Sequence, residues 1–196
     1  MTRSTLLAAL ALAAAGFTCQ AAEPALKFND KGELARPADY REWVFLTAGL
    51  GMTYGPNAPR AGQPAPFSNV FVNPDSYREF MQTGKWPNGT MFILEIRRSA
   101  TDNTLVKGGR YQSDLAALEA EVKDSRFSDG WGFFNWGSAR ALKDVTEPLP
   151  ATAGSPGEES CVECHTKHTA VERTFVQFYP QLLEVARQKG TLKPGF

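Results

Sequence analysis

Thr90-Met-Phe-Ile-Leu-Glu-Ile-Arg-Arg98 is the stretch on which the reading of the fold turns. Phe92, Leu94 and Ile96 share one side of an extended chain, and Met91, Ile93 and Glu95 the other, because side chains of a strand alternate. A strand is therefore expected here. Just before it, Asn73-Pro74 reads as the start of a short helix through Tyr77, Phe80 and Met81 that Gly84 terminates. Phe67–Asn73 alternates and reads as a strand. Further back, a Gly/Pro-rich loop is expected over Ala48–Pro66, a strand over Val44–Thr47, and a short helix opened by Pro37 that runs through Tyr40 and Trp43.

Toward the C-terminus, Trp131–Trp136 is a strand candidate. Asp114–Asp124 is open: its Ala, Leu and Glu content favours helix, yet Leu118, Ala120 and Val122 alternate with Glu119, Glu121 and Lys123 as in a strand. Pro148–Gly157 reads as a flexible lead into a helix N-capped near Ser160. Pro180 opens a last amphipathic helix through Leu182, Leu183, Val185 and Ala186. Strands first and helices last make the expected class α+β. No internal repeat or low-complexity segment is present.

At the N-terminus Arg3 precedes the apolar run Leu6–Phe17, which is too short to span a bilayer and is followed by small residues. That predicts a secretory signal peptide over residues 1–21, cut after Ala21 or one residue later. A lipoprotein anchor on Cys19 is the rival, although Phe17 and Thr18 suit a lipobox poorly. Either way a periplasmic protein is expected. Cleavage removes Arg3 and no acid, which turns the 21 basic and 21 acidic residues of the full chain into a mature chain with one more acid than base. Such a balance suggests neither a nucleic-acid nor an anionic-membrane partner. The remainder, residues 22–196, has the size of one domain and no second apolar span.

Without Cys19 only Cys161 and Cys164 remain, with His165 following at once. Two cysteines exclude a disulfide-stapled fold. The pattern C-x-x-C-H suits covalent haem attachment. Two thiols on one helical turn meet the two vinyl groups along one porphyrin edge, and the next side chain, His165, reaches the iron. One haem c per chain is therefore expected. A thioredoxin-like redox pair would open a helix after a strand of a βαβ unit, which is absent, and a zinc site using His168 would strain a tetrahedron packed into eight residues.

The far side of the iron is decided by counting. Of the two histidines, His168 lies on the same side of the same turn as His165. Met52, Met81 and Met91 are the methionines outside the signal segment, and each has a plain packing role in its context. An open sixth position is expected, which points to ligand binding or chemistry, with a Met-ligated electron carrier as the third class.

Several stretches together resemble the cytochrome P-460 family, which includes the cytochromes c′-beta. They are Phe28-Asn-Asp-Lys-Gly, Tyr40-Arg-Glu-Trp-Val, Phe67–Tyr77, Thr83-Gly-Lys-Trp-Pro-Asn-Gly-Thr and Phe175-Val-Gln-Phe-Tyr-Pro after the haem motif. The resemblance runs from about Phe28 to Val185. It implies a mainly antiparallel β domain with a five-coordinate haem, and it implies that Asp114–Asp124 is a strand. Members that oxidise hydroxylamine carry a haem-cross-linked lysine where this chain has Leu94, which has no nucleophilic atom. Lys85, Lys107 and Lys123 read as solvated surface residues. The family's distal carboxylate maps to Glu119, a general base for a nitrogen substrate. If Leu94 faces the haem, strand parity brings Phe92 and Ile96 with it as an apolar lid, and Phe67 is a further candidate for it. Such a lid admits neutral diatomics and disfavours anions. The expected function is nitric oxide binding of the cytochrome c′-beta kind, the alternative hydroxylamine oxidation with Glu119 as base. Electrons would pass to a small cytochrome; a homodimer stays open.

Overall fold

The computed structural model describes residues 26–52, 64–102, 104–105, 107–138, 142–154 and 156–196. The expected signal peptide and Cys19 lie outside the described residues. Seven strands follow in chain order: β1 (Leu34–Ala35), β2 (Val44–Leu50), β3 (Phe67–Val72), β4 (Met91–Ala100), β5 (Tyr111–Lys123), β6 (Trp131–Gly137) and β7 (Val145–Thr146). Among the described residues three α-helices accompany them: α1 (Pro74–Thr83), α2 (Cys161–Lys167) and α3 (Pro180–Lys189). Strands β2 to β6 form one antiparallel sheet in sequence order, and β1 pairs with β7 in a small second sheet. The class is α+β, mainly antiparallel sheet with short helices.

Residues 114–123 are strand and run to the end of β5. Two expectations shift. The helix opened by Pro37 shrinks to a single 3-10 turn, Tyr40–Glu42, after which Trp43 is already extended. The loop expected from Ala48 starts later, because Ala48, Gly49 and Leu50 still pair with Asn69, Ser68 and Phe67. Residues 53–63 of that loop lie outside the described residues.

Alternation in β4 divides the core. Met91 and Ile93 pack with Leu118, Ala120, Val122, Phe134 and Trp136 on one face. Phe92 packs with Val72, Phe80, Trp86, Trp131, Tyr179 and Leu182 on the other, under α1 and α3. Asn73 precedes α1 but does not cap it with its side chain. Its Oδ1 accepts instead from the Met91 backbone N–H at 2.8 Å, fixing the start of β4. Gly84 ends α1 at φ 70°, and a Cβ there would sit 2.7 Å from the Cβ of Lys189. Glycine is thus needed for both the left-handed turn and the close approach of α3.

On the face away from α3, Glu95 is 3% exposed. Its carboxylate accepts from Tyr40 Oη, from Arg41 Nε and Nη2 at 2.9 and 2.6 Å, and from Asn69 Nδ2 at 3.1 Å. Burial alone would raise its pKa; those donors outweigh it and hold it below the ordinary carboxylate value. Burial and the adjacent Glu95 push the Tyr40 phenol up to about 12. A depressed folded-state pKa contributes stability above the ordinary value, and that stability is lost as pH falls through the folded one. Glu95→Gln is therefore expected to cost about 2–3 kcal/mol near neutral pH and to flatten the acid limb of stability. Urea denaturation of both proteins from neutral pH to strong acid checks this. Parallel acid limbs would remove Glu95 as their source.

Candidate haem site

Paired residues in an antiparallel ladder share a face. β4 and β5 pair Phe92 with Glu121, Leu94 with Glu119 and Ile96 with Ala117. β5 and β6 pair Glu121 with Phe133 and Glu119 with Asn135. Phe92, Leu94, Ile96, Glu119, Glu121, Phe133 and Asn135 therefore lie on one face. The His165 ring comes down on it from α2, edge-on between Phe133 and Phe175, with both ring centroids at 4.7 Å.

Helix α2 starts where the sequence places it: Ser160 Oγ accepts from the Glu163 backbone N–H at 3.1 Å. The Cys161 N–H donates to the Ala153 carbonyl at 3.0 Å, tying the helix to its lead. Cys161 and Cys164 are free and half-buried. Burial raises both thiols, helped by Glu119 at Cys161 and by Glu159 at Cys164. A redox or nucleophilic cysteine needs the opposite shift.

His165 Nδ1 lies 2.7 Å from the Arg173 carbonyl oxygen. A carbonyl only accepts, so Nδ1 carries a proton, and in the neutral ring Nε2 then presents its lone pair, the tautomer that a metal ligand requires. Burial would lower the ring's pKa, but the Glu121 carboxylate and the Arg173 carbonyl outweigh it and hold it above the usual histidine value. Glu119 and Glu121 are both raised by burial, an effect partly offset by His165. Glu119 is held by Asn135, whose Nδ2 donates to Oε1 at 3.0 Å.

Not every sequence candidate joins this group. Phe67 pairs with Arg97, and Val70 with Leu94, so Phe67 sits on the opposite face with Asn69 and Phe71. Phe92 has the right parity but is 4% exposed, edge-on to Trp86 at 4.7 Å and stacked on Tyr179 at 6.4 Å. Leu94 and Ile96 are half-buried. Met91 is buried on the far face, whereas Met52 and Met81 are exposed. His168 turns away, its Nε2 2.9 Å from Glu159. Lys123, expected in solvent, is half-buried; its Nζ donates to Glu172 and to the Trp86 carbonyl at 2.8 Å.

Glu121, Asn135, Phe133 and Phe175 are site residues that sequence reading did not single out. For Glu121 the signal was present: it is two residues from Glu119 in a strand, hence on the same face.

The sequence profile of the family Cytochrome P460 matches residues 37–176, from before the Tyr40 turn to beyond α2. The chain belongs to the cytochrome P460 family. No curated protein matches it in sequence. Family membership implies a haem cofactor, and the donor set fits one: two unpaired thiols one turn apart, a histidine whose Nε2 is left open, and two phenyl rings bracketing that imidazole. Among the described residues no helix is long and apolar enough to cross a membrane.

Proposed function

We propose that this cytochrome P460-family chain is an exported, periplasmic protein that holds one haem c through Cys161 and Cys164. His165 is its single protein axial ligand, and the protein binds nitric oxide in the manner of the cytochrome c′-beta branch. When bound, haem would supply an iron able to take a diatomic ligand. The observation that carries this reading is the aliphatic pair Leu94 and Ile96 on the His165 face, together with the engagement of Lys123. Leu94 has no nucleophile for a porphyrin cross-link. Lys123, on the same face, is spent on Glu172 and the Trp86 carbonyl. Aliphatic side chains desolvate a neutral diatomic at little cost and a charged ligand at a large one.

One observation favours a second reading, oxidation of hydroxylamine with a small cytochrome as electron acceptor. Glu119 is half-buried on that face beside Leu94, fixed by Asn135, with its proton affinity raised by burial. A carboxylate so placed accepts protons from a nitrogen substrate.

Ferric and ferrous absorption spectra, with and without nitric oxide, test the first reading: high-spin spectra that change on adding the gas are expected. Low-spin spectra in both states that do not respond to it overturn both readings. Turnover of hydroxylamine with an external acceptor, lowered about 10²–10⁴-fold in Glu119→Gln, would instead establish the second.

A further inference from the structure

We infer that Glu121 is a positioning residue for His165, its carboxylate set against the Nδ1–H beside the Arg173 carbonyl, where it would draw on that proton and make the imidazole a stronger donor to iron. The inference deepens the proposed function and rests on its assignment of His165 as axial ligand. Nδ1 has two acceptors within reach, Arg173 O at 2.7 Å and Glu121 Oε1 at 3.2 Å. Oε1 is buried and has no hydrogen-bond partner, the Nδ1 hydrogen bond being made to Arg173 O, so the 3.2 Å approach of the carboxylate is a charge contact. The carboxylate lies between two buried rings, because Glu121 pairs with Phe92 in β4 and with Phe133 in β6.

An unsatisfied buried carboxylate oxygen is costly. Its placement against the outer nitrogen of the one histidine in a C-x-x-C-H motif gives that cost a use. A hydrogen bond from Nδ1–H to a carboxylate is charge-assisted and roughly twice as strong as one to a neutral carbonyl. It gives the ring partial imidazolate character, and outer-shell acceptors of this kind orient a ligating histidine and raise its basicity. A more basic axial ligand favours the ferric over the ferrous state. The Arg173 carbonyl sets the ring's direction and tautomer; Glu121 adds the charge.

The test uses the haem-loaded protein and its Glu121→Gln and Glu121→Ala variants. The first keeps shape and removes charge; the second removes the group altogether. Two readouts are taken: the iron–histidine stretching band of the ferrous protein by resonance Raman, and the ferric/ferrous equilibrium by spectroelectrochemical titration. In both variants the band is expected at lower frequency. The equilibrium is expected to move toward ferrous by roughly tenfold, which is about 59 mV for one electron. A role confined to folding would change melting temperature and leave band and equilibrium in place. If the unsubstituted protein shows the band and neither variant moves it or the equilibrium, the role of Glu121 is overturned while His165 stands. If the unsubstituted protein shows no such band, the ligand assignment and this inference fall together.

Discussion

Truncation of Phe92 to alanine is expected to cost about 3–5 kcal/mol of folding stability. The sequence reading placed this ring above a haem; the fold places it where the sheet, α1 and α3 meet. It lies edge-on to Trp86, which itself stacks on Phe80 of α1 at 4.1 Å, and it stacks on Tyr179 at the start of α3. The Trp86 indole N–H donates to Thr174 Oγ1 at 2.9 Å, so Trp86 cannot easily swing into the space left behind. A cavity that cannot collapse gives a cost at the high end of the range. Leu94→Ala, two residues along on the same face but half-buried, is expected to cost less than half as much. Urea denaturation of the three proteins measures the difference. A loss below about 1 kcal/mol for Phe92→Ala, with faster nitric oxide association, would return the ring to the ligand pocket.

The second large effect is chemical. Cys161→Ala combined with Cys164→Ala is expected to abolish covalent haem attachment, so that acidified organic solvent extracts all of the haem. Either single substitution should leave one thioether and a haem that stays with the chain. Both thiols sit on the first turn of α2, half-buried, and burial holds their protons on. They are suited to being consumed once in a stable bond rather than cycled through thiolate chemistry. Mass spectrometry of the denatured chain decides the matter: an unsubstituted protein with the mass of its bare polypeptide would refute attachment.

Which parts of this molecule were legible in its sequence follows the range of the forces involved. Local rules carried far. The alternation of Met91–Ile96, the Ser160 cap, the Gly84 stop and the Pro180 start all appear where backbone geometry and capping dictate. Asp114–Asp124 was ambiguous on residues alone because Ala, Leu and Glu pull toward helix; its strand state comes from pairing with β4 and β6 on both sides, a tertiary effect. Parity correctly grouped Phe92, Leu94 and Ile96, yet parity within one strand does not say how the next strand is registered. Phe67 therefore fell on the far face. Nor does it show that Trp86 and Tyr179, distant along the chain, close over Phe92. Lys123 read as a surface cation because Glu172, its partner, is 49 positions away. The acceptors around His165 were the least legible part, since a backbone carbonyl such as that of Arg173 has no sequence signature.

Glu172, the residue before Arg173, has φ 50°, the one positive value at a non-glycine among the described residues. Such a conformation costs roughly 1–2 kcal/mol for a residue with a Cβ. The cost is met by the side chain, which takes the Lys123 ammonium and the Trp86 backbone N–H, the latter at 3.3 Å. Glycine at 172 would relax the backbone and cut both tethers, leaving the net folding free energy nearly unchanged while freeing the turn that aims the Arg173 carbonyl. Thermal robustness and geometric order of the imidazole thus separate at a single position. A protein engineer selecting for melting temperature alone would pass over the change that most blurs the iron's environment.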